Sequence, residues 1–290
     1  MDINNLNAFI EVARRQSFSL AAEALFITQP AISKRITSLE NELGTLLFNR
    51  INRKVTLTEA GHTLLPRVHV LRNELEDIRR IASNLSGNLH GELVMGTSHH
   101  IGLHRLPPVL SHFNLHHPEV RLDLRFVDSE LACQSVERGD LEIAVVTLPS
   151  ELPEQLQTQS IWTDQLHIVT SCDHPLRQLP EVSLETLVQH RCVLPGKDTY
   201  TYQIISQALA PFDKQINVYL TTNYLETLKM LVTAGFGWSL LPHTLLDEGL
   251  VIVNTPLHLQ RQLGVIFHRK RTLSNAAKTL LAILHQFSDT

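Results

Sequence analysis

Through the first sixty residues apolar positions recur at helical spacing. Leu6, Phe9, Ile10 and Ala13 share one helical face. Ser17 and Ser19 are suited to cap a short second helix through Ala21, Ala22 and Leu25. A third helix is predicted over Thr28–Asn41, with Thr28 as N-cap and Pro30 in the first turn, where amides have no internal partner. Lys54–Thr58 then alternates like a short strand. From Leu64 the apolar residues Leu64, Val68, Leu71, Leu75, Ile78, Ala82 and Leu85 follow in alternating steps of four and three. That 3.5-residue period fits a two-helix dimer seam, and it also fits an amphipathic helix packed on its own domain. Pro66 predicts that this helix starts near Leu65 or kinks there.

Beyond a polar, glycine-containing stretch at Ser83–Gly91 the period changes. Short apolar strands are predicted at 92–96, 121–127, 141–146, 166–171, 192–195, 216–222, 237–242 and 263–268. Helical stretches lie between many of them, and a closing helix is predicted over 274–287. Such alternation predicts α/β units with largely parallel sheets.

The third helix carries the most specific chemistry. At 100° per residue Ile32, Ile36, Leu39 and Leu43 form one narrow stripe, while Pro30, Lys34, Thr37 and Asn41 face the other way with Ser33 on the flank. Gln29 projects from the helix start. An amide, hydroxyls and a cation on one face are what a major-groove reader needs: Gln pairs with adenine, Lys with guanine, and a proline ring touches a thymine methyl. With the preceding helix this makes a helix-turn-helix, and Arg50, Arg53 and Lys54 would form a basic wing suited to phosphate or minor-groove contact. A solvated helix face and a solvated basic turn are the plainer alternatives.

Charge narrows the choice. Residues 1–87 hold 11 Lys+Arg against 9 Asp+Glu, whereas the remainder hold 14 against 20. Any nucleic-acid surface is therefore local and N-terminal. No run of eighteen apolar residues and no leader-like N-terminus occurs, so a cytoplasmic protein is expected. Cys133, Cys172 and Cys192 are widely spaced and read as reduced thiols.

The motifs "SFSLAAEAL", "TQPAISKRI", "LENELGTLLFNR" and "LTEAG" occur in an order and spacing that resemble the N-terminal domain of LysR-type transcriptional regulators. "MLVTAGFGWSLLP" (Met230–Pro242) resembles a segment of that family's second lobe. The resemblance implies a winged helix-turn-helix over 1–60, a linker helix and hinge over 61–88, and a two-lobed α/β effector-binding domain over 89–290 resembling type 2 periplasmic binding proteins. Lobe I would comprise 89–161 and 267–290, and lobe II 162–266. It further implies operator DNA as partner, a homodimer that assembles into a homotetramer, RNA polymerase recruitment, and a small-molecule effector between the lobes. DNA contacts would come from Thr28, Gln29, Pro30, Ser33, Lys34, Thr37 and Arg53, with no catalytic residue and no cofactor beyond the effector.

Ligands of doubly wound sheets bind beyond the carboxyl ends of strands. Those positions hold Thr97, Ser98, His99 and His100; Asp128 and Ser129; Thr147; Lys197, Thr199 and Tyr200; and Asn223. The hydroxyls, the lysine and the histidines suggest a small anionic effector. His100 and His104 sit at i, i+4, but no neighbouring Cys or carboxylate completes a ligand set, so no metal is expected. An enzyme and a solute-binding protein are the competing readings. Against the first, no GxSxG, GxxxxGK or HExxH occurs.

Overall fold

The computed structural model describes residues 2–51, 54–85, 89 and 91–289, and divides into two compact units at Ser86/Gly87. No helix among the described residues is long and apolar enough to cross a membrane.

The first unit is built on three helices: α1 (Ile3–Arg15), α2 (Phe18–Ala24) and α3 (Gln29–Leu43). Each is started by a side chain that accepts from a first-turn amide: Asp2 from Asn4, Ser17 from Leu20, and Thr28 from Ala31. Gly44, at φ +68, ends α3 in the left-handed region, where a Cβ would be strained. An antiparallel hairpin of β1 (Phe48–Ile51) and β2 (Lys54–Leu57) follows. Leu6, Phe9, Val12, Ile32, Ile36 and Leu39 fill the core. Phe48 closes it edge-on against Phe9 and Phe18, at centroid distances of 5.5 and 5.8 Å.

Helix α4 (Glu59–Leu85) starts six residues before the predicted Leu65 and contains Pro66. Its start is set by Thr58, whose hydroxyl accepts from Gly61 N and donates to the Leu46 carbonyl. Proline at position 66 removes the donor to the His62 carbonyl, one bond in a helix of 27 residues. Gly61 is needed for a different reason: a Cβ there would stand 2.3 Å from the Leu47 carbonyl oxygen.

The second unit opens with β3 (Gly91–Thr97), α5 (His99–His104), α6 (Leu106–His116), β4 (Val120–Phe126), α7 (Ser129–Arg138) and β5 (Ile143–Thr147). A long strand, β6 (Leu156–Ser171), then leads into α8 (Leu184–Gln189), β7 (Cys192–Leu194), α9 (Tyr200–Ala208), β8 (Val218–Thr221), α10 (Leu225–Thr233), β9 (Ser239–Pro242) and β10 (Leu250–Ile252). The chain returns through β11 (Leu259–His268) to α11 (Asn275–Gln286).

Strands β4, β3 and β5 are parallel neighbours, as are β7 and β8. The remaining pairings depart from the expected parallel sheets. Strand β11 runs antiparallel to both β5 and β6, and β6 antiparallel to β9 and β10. The lobe limits drawn at 161/162 and 266/267 therefore fall inside the continuous strands β6 and β11. Only the apolar ends of these strands, 166–171 and 263–268, were legible. The first half of β6, "LQTQSIWT", alternates with exposed polar residues and has no continuous apolar run.

Separate cores support the two lobes. Lobe I buries Leu93, Met95, Ile101, Phe113, Val265 and Leu280. Lobe II buries Leu166, Ile168, Leu194, Ile205, Trp238 and Leu240. Trp238 satisfies its indole N–H on the Leu187 carbonyl at 2.9 Å.

Candidate functional sites

In the N-terminal unit, burial of Ile32, Ile36 and Leu39 turns the opposite face of α3 outward. Thr28, Gln29, Pro30, Lys34 and Thr37 are exposed, and Ser33 is half-buried on the flank. Phe26, in the turn before α3, has φ 53 and is 95% exposed. Arg50 is exposed and lays its guanidinium over the Phe18 ring at 4.4 Å, which holds the charge beside α2. Lys54 is exposed at the start of β2. Arg53 lies outside the described residues.

Glu40 is the residue of this helix that the periodic reading missed. It is buried, and its carboxylate accepts from Leu47 N at 2.8 Å and Phe48 N at 3.4 Å. It therefore belongs to the scaffold that ties α3 to the hairpin.

Helix α4 divides along its length. Leu64 and Val68 pack into the core of their own domain, which corrects their assignment to a surface seam. Leu75 is half-buried, whereas Leu71, Ile78, Ile81 and Leu85 are exposed, Ile78 at 62% and Leu85 at 84%.

In the second unit, the ends of β3, β5 and β7 and the starts of α5, α7, α9 and α10 converge on a small cleft of about 50 Å³. Ser98, His99, His100, Asp128, Ser129, Thr147, Thr199 and Asn223 all line it, as their positions after the strands predict. Ser98 precedes α5 without capping it, so its hydroxyl is not used by the helix. Asn223 bridges two walls, donating to Asp128 at 2.8 Å and accepting from Gly196 N at 2.9 Å. His99 meets Tyr224 and Phe126 edge-on.

Three predicted residues are not among the lining. Lys197 is exposed and points no charge into the cleft. Thr97 is fully buried behind it and donates its hydroxyl to the Val145 carbonyl at 2.9 Å. Tyr200 contributes its backbone N–H to Glu130 at 2.6 Å, while its side chain packs with the cluster around Cys133. In exchange the fold brings in Glu130, Thr201, Leu225 and, above all, Arg261. An arginine in a polar stretch of a strand carries no sequence signal for this role, because the pairing of β11 with β6 decides where it lies.

Arg261 is 5% exposed and donates to Asp164 from Nε at 3.2 Å and Nη2 at 2.8 Å, and to Thr201 from Nη1 at 3.2 Å. Asp164 also accepts from Arg105 at 2.6 Å. Burial alone would raise the Asp164 pKa, but the charge of Arg261 and the hydrogen bond from Arg105 lower it. One carboxylate thus serves two guanidiniums, and Arg105 reaches a second carboxylate, Asp289, at 3.8 Å. Glu130, on another wall, has its carboxyl pushed up by burial.

Beside this network His100 is buried, and desolvation lowers its pKa. Burial would raise the Glu226 pKa, but hydrogen bonds from His100 and from its own backbone bring it down to about 2. All three cysteines are free, and burial pushes the Cys133 thiol up to about 11 and that of Cys192 to about 12.

Two family models match the chain. That of the bacterial regulatory helix-turn-helix protein, lysR family, covers residues 3–62, and that of the LysR substrate binding domain covers 86–289. A probable RuBisCO transcriptional regulator of Gracilaria tenuistipitata var. liui is 30% identical, covering 96% of this chain and 93% of that protein. An HTH-type transcriptional regulator in the ibpB–leuC intergenic region of Azotobacter vinelandii is 57% identical over 108 residues, 37% of this chain and 75% of that protein. Among solved structures, a cysteine-substituted OxyR of Corynebacterium glutamicum with hydrogen peroxide bound is 25% identical. Its TM-score is 0.58, and the match covers 99% of this chain and 94% of that one.

Proposed function

Since the chain belongs to the LysR family of helix-turn-helix transcriptional regulators, we propose that Gln29, Ser33 and Lys34 read base edges in an operator and that the Arg261-floored cleft takes a small anionic effector. The observation that carries the first part is the exposed polar face of α3, held outward by Ile32, Ile36 and Leu39. Gln29 and Lys34 supply base-pairing groups, Pro30 an apolar contact, Thr28 and Thr37 flanking hydroxyls, and Arg50, Arg53 and Lys54 backbone contacts.

Arg261 supports the second part. Of its five N–H groups, three donate to Asp164 and Thr201, which leaves two for an anion entering the cleft. Asp128 and Glu130 on the facing walls favour an effector that also offers hydrogen-bond donors. Effector binding shifts operator occupancy only through unequal affinity for two assembly states. The protein acts in the cytoplasm as a homotetramer built from dimers through α4, and it recruits RNA polymerase.

Operator fragments selected with the full-length protein test the DNA reading. Gln29→Ala should cost roughly 1–3 kcal/mol on the selected site and relax preference at one base position, while Lys54→Ala weakens all sequences alike and flattens the salt dependence. Wild-type affinity and selectivity in Gln29→Ala would remove α3 as the reading helix.

A further inference from the structure

His100 and His104 stand one turn apart on α5, and the sequence around them offers no third ligand. The tertiary fold supplies one from 122 residues away. Glu226, in the first turn of α10 in the other lobe, brings Oε1 to 3.4 Å from His100 Nδ1 and 3.1 Å from His104 Nε2. The three ligand atoms all lie within 4.8 Å of one another. Donors around a tetrahedral zinc ion at about 2.0–2.1 Å stand roughly 3.3–3.5 Å apart, so small side-chain adjustments bring this set to coordination distance.

Three further features bear on the same point. Glu226 Oε2 is buried without a hydrogen-bond partner among the described residues, and such an oxygen in a native interior calls for an explanation. His100 Nε2, the nitrogen turned away from Glu226, meets the Thr244 hydroxyl at 3.2 Å and the Asp164 carboxylate at 3.8 Å. Support of that kind orients a ligating imidazole and sets its tautomer. The His104 side chain is 32% exposed, which gives an ion a path from solvent.

We propose that His100, His104 and Glu226 form a divalent-metal site, zinc by ligand type, that ties lobe I to lobe II. A fourth position stays open to water or to a donor atom of a bound molecule. The site shares His100 with the cleft, whereas His104 and Glu226 are outside its lining, so metal uptake can be read with no effector or operator present.

The test uses the full-length protein after chelator treatment, with Zn²⁺ followed by thermal unfolding and Co²⁺ followed by visible absorption. Wild type should take up one Co²⁺ per chain with the d–d spectrum of a four-coordinate site, release it to Zn²⁺, and melt at a higher temperature when loaded. His104→Ala and Glu226→Gln should lose at least the ~100-fold in affinity that removing even an outer-shell partner can cost. His104→Cys should restore binding and add a thiolate-to-cobalt charge-transfer band. Because His104 is partly exposed, its variants should match metal-free wild type in circular dichroism. No stoichiometric Co²⁺ uptake by wild type would overturn the proposal and reduce the cluster to a hydrogen-bonded contact between lobes. Uptake that persists unchanged in His104→Ala and Glu226→Gln would do the same, placing the ion among the other histidines.

Discussion

Asp164 shows how much can rest on one side chain. It lies between Arg105 and Arg261 at 2.6 and 2.8 Å and is 2% exposed. Removing one partner of such a buried set leaves an uncompensated charge in a low-dielectric interior. Asp164→Asn should therefore lower stability by about 3–5 kcal/mol at neutral pH, read from urea unfolding of the full chain. The pH dependence follows from the direction of the shift. The folded-state pKa lies below 3.8, so the carboxylate's contribution is complete above 3.8 and lost as pH falls through the folded value. The substitution should accordingly flatten the acid limb of the stability profile. Equal stability of the two proteins at pH 7 would show that Arg261 does not need this partner. Glu40 is a contrasting case: an acid beside the outward face of α3 is buried and accepts from two amides at the start of the hairpin.

Among the elements, α4 carries two kinds of apolar residue on one regular spacing. Leu64 and Val68 are used inside the domain, and Leu71, Ile78 and Leu85 remain outside. A helix with Ile78 62% and Leu85 84% exposed has an apolar stripe that its own domain does not cover. Ile78→Asp should leave the fold of a single chain intact and break self-association. The charge would have to enter a partner helix's apolar seam at a cost of several kcal/mol. Sedimentation equilibrium should show a lower mass for the variant. An unchanged mass would assign this stripe to something other than a pair of α4 helices. The spacing rule predicts the stripe but not its division, because whether an a/d residue meets the core of its own domain or solvent depends on where α4 runs beyond that core.

For the whole effector-binding unit, the cleft is an outcome of the crossing strands β6 and β11. They carry Asp164 and Arg261 to its floor while β3, β5 and β7 deliver hydroxyls to its walls. Small carboxylates can be screened against the full chain by thermal shift, and any ligand found can be tested on two variants. Ser98→Ala, which removes a lining hydroxyl not engaged in capping, should weaken that ligand by roughly the 0.5–1.5 kcal/mol of a net hydrogen bond, or more if the bond is charge-assisted. Lys197→Ala should leave affinity unchanged, since Lys197 is exposed and outside the lining. The reverse ranking would move the ligand out of this cleft.

What the sequence by itself determined is local. A period of 3.6 put Ile32, Ile36 and Leu39 inward and therefore Gln29 and Lys34 outward, and Thr28 as a cap made the helix start where it does. Strand ends marked by hydroxyl-rich loops were enough to find Ser98, Asp128, Thr147, Thr199 and Asn223, because a strand's carboxyl end is a property of the strand alone. Tertiary structure decided everything that required two distant segments to meet. It placed Arg261 under the cleft through the β11–β6 ladder and left Lys197 in solvent. It also turned Glu226 onto a histidine pair 122 residues earlier. Periodicity records which face of an element is buried, whereas these contacts depend on how elements stack, and chain spacing carries no trace of that.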